Sequence, residues 1–209
     1  MMKSEEVISV LDKYYPDARC ELNYTKDYEL LIATVLSAQC TDKRVNQVTE
    51  VLFQKYDLKG LNDADIKDIE SIIRPCGSHT KKAKYIKTIA EKLIEDYHGI
   101  VPNNREYLES LPGVGRKTCN VVLSNIYDVP AIAVDTHVAR VSTRLGFAKE
   151  GDDVSIIEQK LMKKFPKDKW SRLHHQLVLF GRYNCTARNP KCQDCLFKTN
   201  CKYYKKITH

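Results

Sequence analysis

Leu111-Pro112-Gly113-Val114-Gly115, followed by Arg116-Lys117-Thr118, is the densest group of turn residues in a sequence of 209. It joins one helical pattern, ending near Ser110, to another that begins near Gly115. Glycine has no Cβ, so backbone N–H groups in such a turn can point outward together, and the next helix adds its positive N-terminal end. Groups arranged this way cradle a phosphate backbone without reading bases. Leu111, Gly113, Val114, Gly115 and Arg116 are the candidate contacts. A P-loop does not fit, because the glycine spacing is wrong and no parallel strand precedes it. Taken alone, G-x-G also fits a plain αα-turn.

Lys117 follows on the first turn of the second helix. The helix-end dipole, Arg116 and partial burial would each disfavour its charged form and lower its pKa. A lysine that is neutral part of the time is a nucleophile able to form a Schiff base at a sugar C1′. Taken alone, a lysine is a solvated surface residue. Asp135 lies in Ile132-Ala133-Val134-Asp135-Thr136-His137, between an apolar stretch and a helical one. It reads as an N-cap, or as a carboxylate beside a developing sugar cation or a reacting lysine, and the two roles are compatible. His137 is a structural or hydrogen-bonding neighbour.

Outward from the turn, the periodicity is helical. Ile66, Ile69, Ile72 and Ile73 repeat at spacings of three and four, as do Ile86, Ile89, Ala90, Leu93, Ile94 and Tyr97. Val45, Val48, Val51 and Leu52 form another stripe, and Ile156, Ile157, Leu161 and Phe165 a fourth. Each stripe is expected to face a core. Ser155 and Glu158 fit a capping box, and Gly77, Gly99 and Gly146 sit where helices could stop. No period-2 alternation is sustained, so the fold class is all-α. No repeat and no low-complexity linker is present.

Hydrophobic residues make up 43% and charged residues 29%, which suits a globular chain rather than a disordered one. The apolar runs are too short to span a bilayer. The start, Met1-Met2-Lys3-Ser4-Glu5-Glu6, turns acidic before any apolar segment, so the expected location is cytoplasmic, not secreted. The net charge is +7, but residues 160–209 alone carry +11 and the remainder about −4. That asymmetry fits a nucleic-acid partner or a solvated lysine-rich tail.

Cys20, Cys40, Cys76 and Cys119 are scattered through helical patterns and read as small buried residues. Cys185, Cys192, Cys195 and Cys201 lie together as C-x6-C-x2-C-x5-C. Four thiolates so close in sequence can converge on one metal centre at low loop-closure cost. A disulfide pair is disfavoured in a reducing compartment. Zinc sites more often use two C-x2-C knuckles, and only one is present; spacing alone favours an iron–sulfur cluster over zinc, weakly.

Together the hairpin from Leu111 to Lys117, the Val134-Asp135-Thr136-His137 segment and the four-cysteine spacing resemble the endonuclease III family of DNA glycosylases. Leu36-Ser37-Ala38-Gln39-Cys40-Thr41-Asp42 and the run from His174-His175 to Gly181-Arg182-Tyr183 add to the resemblance, which extends from about residue 20 to residue 204. It implies a two-domain helix-hairpin-helix glycosylase fold with the active site in the cleft between the domains. Residues 22–131 would form a six-helix, barrel-like domain carrying the hairpin. Residues 1–21 and 132–209 would form a helical domain carrying Asp135 and a 4Fe–4S cluster.

The resemblance further implies that Lys117 attacks C1′ of a damaged nucleotide in double-stranded DNA and expels the base, assisted by Asp135. The Schiff base then permits β-elimination, which nicks the strand at an abasic site. Gln39 matches the residue that enters the vacated stack, and Glu109 an acidic residue near the pocket, with His137 beside it. Cys185, Cys192, Cys195 and Cys201 would hold the cluster, and Arg188 and Lys191 on its loop would meet phosphates. The expected substrates are oxidised or damaged pyrimidines, and the enzyme would act as a monomer without a membrane partner. A mismatch or monofunctional glycosylase, or a non-catalytic DNA-binding module with structural zinc, are the alternatives.

Two departures stand out. Gly77-Ser78-His79-Thr80-Lys81-Lys82-Ala83 is polar where the family has an apolar wedge, and polar side chains intercalate less well. Gln176 stands where the family often has Trp, which reads as a packing change near the cluster.

Overall fold

The computed structural model describes residues 2–208, and no strand occurs among them. In chain order the α-helices are α1 (Ser4–Tyr14), α2 (Asp27–Leu36), α3 (Asp42–Lys55), α4 (Leu58–Asp63), α5 (Ile66–Ile73) and α6 (His79–Tyr97). They continue with α7 (Arg105–Ser110), α8 (Arg116–Tyr127), α9 (Thr136–Leu145), α10 (Val154–Lys164), α11 (Trp170–Tyr183) and α12 (Lys202–Thr208). Two compact units divide them: Cys20–Tyr127, and Met1–Arg19 with Asp128–His209.

In the unit Cys20–Tyr127, α2 is buried at every residue from Tyr28 to Leu36. A helix that is apolar all round belongs inside a core, and Leu30-Leu31-Ile32-Ala33 supplies that. The aliphatic hydroxyl in this run, Thr34 Oγ1, donates to the Leu30 carbonyl at 2.8 Å. α6 packs on α2 and α5 on α6, and these two present the isoleucine stripes, with Ile69, Ile73, Ile86 and Ile89 fully buried. Burying such a side chain is worth about 1.5–3 kcal/mol against leaving it in water.

The stripes are narrower than their spacing suggests. Val51 is 53% exposed and Ile156 39% exposed, while Val45, Leu52, Ile157 and Leu161 are buried. Each exposed residue lies beside a buried one that already faces the core. Cys76 and Cys119 are buried as expected, but Cys20 and Cys40 are only half-buried.

In the other unit, α1 packs on α11. Phe180 meets Tyr14 edge-on at 5.2 Å and Phe197 at 5.3 Å. Gln176, 1% exposed, donates from Nε2 to Asp12 Oδ1 at 2.8 Å and to the Tyr15 carbonyl at 3.2 Å. The polar residue in place of Trp is therefore a hook between α11 and α1. The start of α10 also differs from the capping box expected at Ser155 and Glu158. Asp153 Oδ1 accepts from the N–H groups of Ser155 (2.8 Å) and Ile156 (3.0 Å), and Ser155 lies inside the helix. One carboxylate serving two of the orphan N–H groups outcompetes a hydroxyl two residues on.

Candidate active site

The hairpin is built as its residues dictate. Asn104 caps α7 by accepting from the Tyr107 N–H at 3.1 Å. The Leu111 N–H returns to the Leu108 carbonyl, and the Val114 N–H to the Leu111 carbonyl, both at 3.1 Å. Gly113 turns through φ +79, and a Cβ there would lie 2.6 Å from the Tyr85 ring and 3.2 Å from Val35. Only glycine meets both demands. Gly115 has open space around its Cβ position, so packing does not require it. Leu111 and Val114 are 2% and 4% exposed, so they can offer a ligand only backbone groups. Gly113, Gly115 and Arg116 are exposed.

Lys117 is the second residue of α8 and is exposed, not partly buried as its sequence context suggests. Its approach to a ligand is open within its own unit. Glu109 is exposed at the end of α7, where Arg105 Nη1 donates to it at 2.9 Å. Arg105 Nη2 donates to Asn120 Oδ1 on α8 at 2.7 Å. One guanidinium thus joins the two hairpin helices. Sequence reading missed Arg105 and Asn120; the only signal was the arginine four residues before Glu109.

Gln39 lies past the end of α2, exposed, with φ +59. Ser78, just before α6, has φ +47 and is also exposed. Lys82, merely quoted among the polar residues of its segment, is buried, with its ammonium on backbone carbonyls. A lysine in a run of lysines carries no mark of burial.

In the other unit Asp135 is half-buried and caps α9, accepting the Val138 N–H on Oδ1 at 2.8 Å. Ile132, Ala133 and Val134 before it are buried, which fixes the direction from which the chain enters the cap. His137 Nδ1 lies 3.1 Å from Arg140 Nη2. A Cβ on Gly181 would sit 2.8 Å from the His137 Cβ, so α9 and α11 meet where that glycine allows close approach. Arg140 also donates to the carbonyls of Gly181 at 2.6 Å and Cys185 at 3.0 Å.

Cys185, Cys192, Cys195 and Cys201 are all free thiols in this unit. Burial raises the pKa values of Cys192 and Cys195 most, and the neighbouring Cys185 and Cys201 thiols raise both further. Cys192 and Cys195 therefore lie within electrostatic reach of Cys185 and Cys201. Among the described residues, no three His, Cys, Asp or Glu side chains converge as ligands of a single metal ion would. An all-sulfur donor set fits a cluster of several irons, which are held by cysteine thiolates. Arg144 braces the loop: Nη1 lies 3.4 Å from Cys185 Sγ and donates to the Thr186 carbonyl at 2.7 Å, and Nη2 reaches the Ala187 carbonyl at 3.1 Å. Arg188 and Lys191 are exposed on that loop. Among the described residues no helix is long and apolar enough to cross a membrane.

Residues 32–167 match the HhH-GPD superfamily of base excision DNA repair proteins. Endonuclease III of Bacillus subtilis is 46% identical over 97% of this chain and 94% of its own length. The Escherichia coli K12 protein of the same name is 40% identical over 98% and 97%. A solved structure of a trapped endonuclease III–DNA covalent intermediate superposes with a TM-score of 0.93 at 46% identity, covering 100% of both chains. A thermostable thymine-DNA glycosylase superposes at 0.86 with 26% identity, over 97% of each chain. With all-α architecture, the glycine hairpin and sequence identity across nearly the whole length, the chain belongs to the endonuclease III family of base excision DNA repair proteins.

Proposed function

We propose a division of labour between the two units in an enzyme that excises damaged pyrimidines from double-stranded DNA. The protein is a bifunctional DNA glycosylase and AP lyase. The unit Cys20–Tyr127 grips the phosphate backbone through the hairpin N–H groups and supplies the nucleophile. The unit containing Asp135 supplies the carboxylate and a phosphate-binding loop. The observation that carries the assignment of the nucleophile is Lys117 exposed on the first turn of the helix that the hairpin launches.

In this reading the Lys117 amine bonds to C1′ as the glycosidic C–N bond breaks, and the base leaves with a proton. Ring opening gives a protonated imine between Lys117 and the sugar. Loss of a C2′ proton then breaks the C3′–O bond and nicks the strand; water finally hydrolyses the imine. Asp135, as an anion, stabilises positive charge on the sugar and takes the proton that makes Lys117 nucleophilic. Gln39 fills the space left by the extruded nucleotide, and Glu109 and His137 are the further substrate-contacting residues of their respective units. Cys185, Cys192, Cys195 and Cys201 would hold a 4Fe–4S cluster, which would supply a covalent brace for the loop and no step of the excision. With the cluster bound, the loop's exposed Arg188 and Lys191 would meet phosphates.

Likeness to a thymine-DNA glycosylase favours a monofunctional glycosylase that removes thymine as the second reading. Lys117 separates the two, because the lyase step needs an amine. Borohydride is expected to trap a covalent adduct with abasic or lesion-containing duplex DNA, and Lys117→Ala to abolish it. An undiminished adduct yield in Lys117→Ala would assign the nucleophile elsewhere.

A further inference from the structure

Lys82 is 5% exposed. Its ammonium donates to three backbone carbonyls, those of Leu36 at 2.9 Å, Ala38 at 2.8 Å and Cys76 at 2.9 Å. Three acceptors match the three N–H donors of a protonated amine, where a neutral amine would serve only two. Burial pulls the pKa of Lys82 down from its ordinary value, opposed by the nearby Cys76 and Cys40 thiols. A full set of hydrogen bonds is what makes a charge tolerable there. Mere filling of that space would be done more cheaply by an apolar side chain.

The three carbonyls lie where two chain segments reverse. Leu36 and Ala38 lead from α2 into Gln39; Cys76 ends a 3-10 turn and leads into Gly77 and Ser78. Both segments then pass through left-handed backbone, with φ +59 at Gln39, +67 at Gly77 and +47 at Ser78. Residues with a Cβ persist in that region only where their surroundings over-determine them. Lys82 is the element common to both surroundings. The same helices seat the phosphate cradle: Gly113 closes on Tyr85, one turn along α6 from Lys82, and on Val35, beside Leu36. Two exposed polar tips and the hairpin are thereby set on one frame.

We propose that Lys82 is a positioning residue for duplex DNA: its buried ammonium fixes the spacing of two prongs, Gln39 and Ser78, that occupy the disturbed base stack. This rests on the glycosylase reading above and adds how the stack-invading groups are held. Prongs fixed before binding do not have to be ordered during it, and ordering is a main cost of recognition. The arrangement also gives the polar Ser78 a use: a tip held rigidly need not rely on apolar insertion.

The test is single-turnover nicking at an abasic site placed in duplex and in single-stranded DNA, where no stack has to be invaded. Lys82→Met leaves three carbonyls without a donor and should lower the duplex-to-single-strand rate ratio about 10-fold or more, as a small misplacement of binding groups can. Lys82→Gln, which keeps two N–H donors, should fall between. A 2-aminopurine opposite the site should brighten on saturation with the wild-type protein and stay quenched with Lys82→Met. Equal losses on both substrates, an unchanged ratio, or failure of both variants to fold would overturn the proposal. Wild-type protein inactive on both substrates would instead sink the lyase reading.

Discussion

Asp135 caps α9 through the Val138 N–H, and the same carboxylate is proposed to act on the reacting sugar. The two duties respond differently to substitution. Asparagine caps a helix about as well as aspartate, so Asp135→Asn should leave unfolding free energy within about 0.5 kcal/mol of wild type. Base release should still slow by about 100-fold or more, because the amide is neither a base nor an anion. Asp135→Ala should lose the cap as well, at about 0.5–2 kcal/mol. Denaturant unfolding and single-turnover base release, measured on both variants, check this; equal release rates in wild type and Asp135→Asn would leave Asp135 only its cap. The cap was legible in the sequence, since an Asp before a helical pattern announces it. Lys82 was not, because only tertiary packing separates a buried lysine from the solvated ones around it. The half-buried expectation for Lys117 failed for a related reason: burial belongs to the neighbours a residue meets, and local spacing does not specify them.

Among the elements, the hairpin was the most legible, because its two glycines fall between two helical patterns. The structure assigns them unequal work. Gly113 combines a positive φ with close approach to Tyr85, whereas a Cβ at Gly115 would meet nothing. Gly113→Ala should therefore destabilise the protein by about 1–3 kcal/mol, through left-handed strain and overpacking. It should also weaken binding to undamaged duplex, since the N–H cradle shifts with the turn. Gly115→Ala should leave stability within about 0.5 kcal/mol, as substitutions at open surface sites do. Thermal melts and fluorescence anisotropy on the pair measure the contrast, and equal costs would show that the approach to Tyr85 is not what Gly113 serves. Helix starts were less legible. Ser155 and Glu158 have the pattern of a capping box, yet Asp153, two residues earlier, already serves the N–H groups of Ser155 and Ile156. Sequence spacing cannot rank two adjacent caps; geometry can.

At the scale of the molecule, charge and chain path set different properties. Residues 160–209 carry +11, and they lie in the unit whose loop holds the four cysteines. Lys191→Ala should weaken binding to all duplex sequences alike and reduce the slope of log affinity against log salt by about 1. An anisotropy titration at several salt concentrations reads that slope; no change would place Lys191 off the phosphate path. Helical class and the site of excess charge were readable from composition and periodicity. The bond between α1 and α11 was not, since Asp12 and Gln176 are 164 residues apart. That long closure bears on synthesis. On a ribosome moving at about 5–20 residues per second, α1 emerges first and waits roughly 8–33 s for its partner helix. The continuous unit Cys20–Tyr127 can complete itself during that interval. The nascent chain thus makes its glycine hairpin before the helix that completes the core around α1, and before Cys201, the last of the proposed cluster ligands, leaves the exit tunnel.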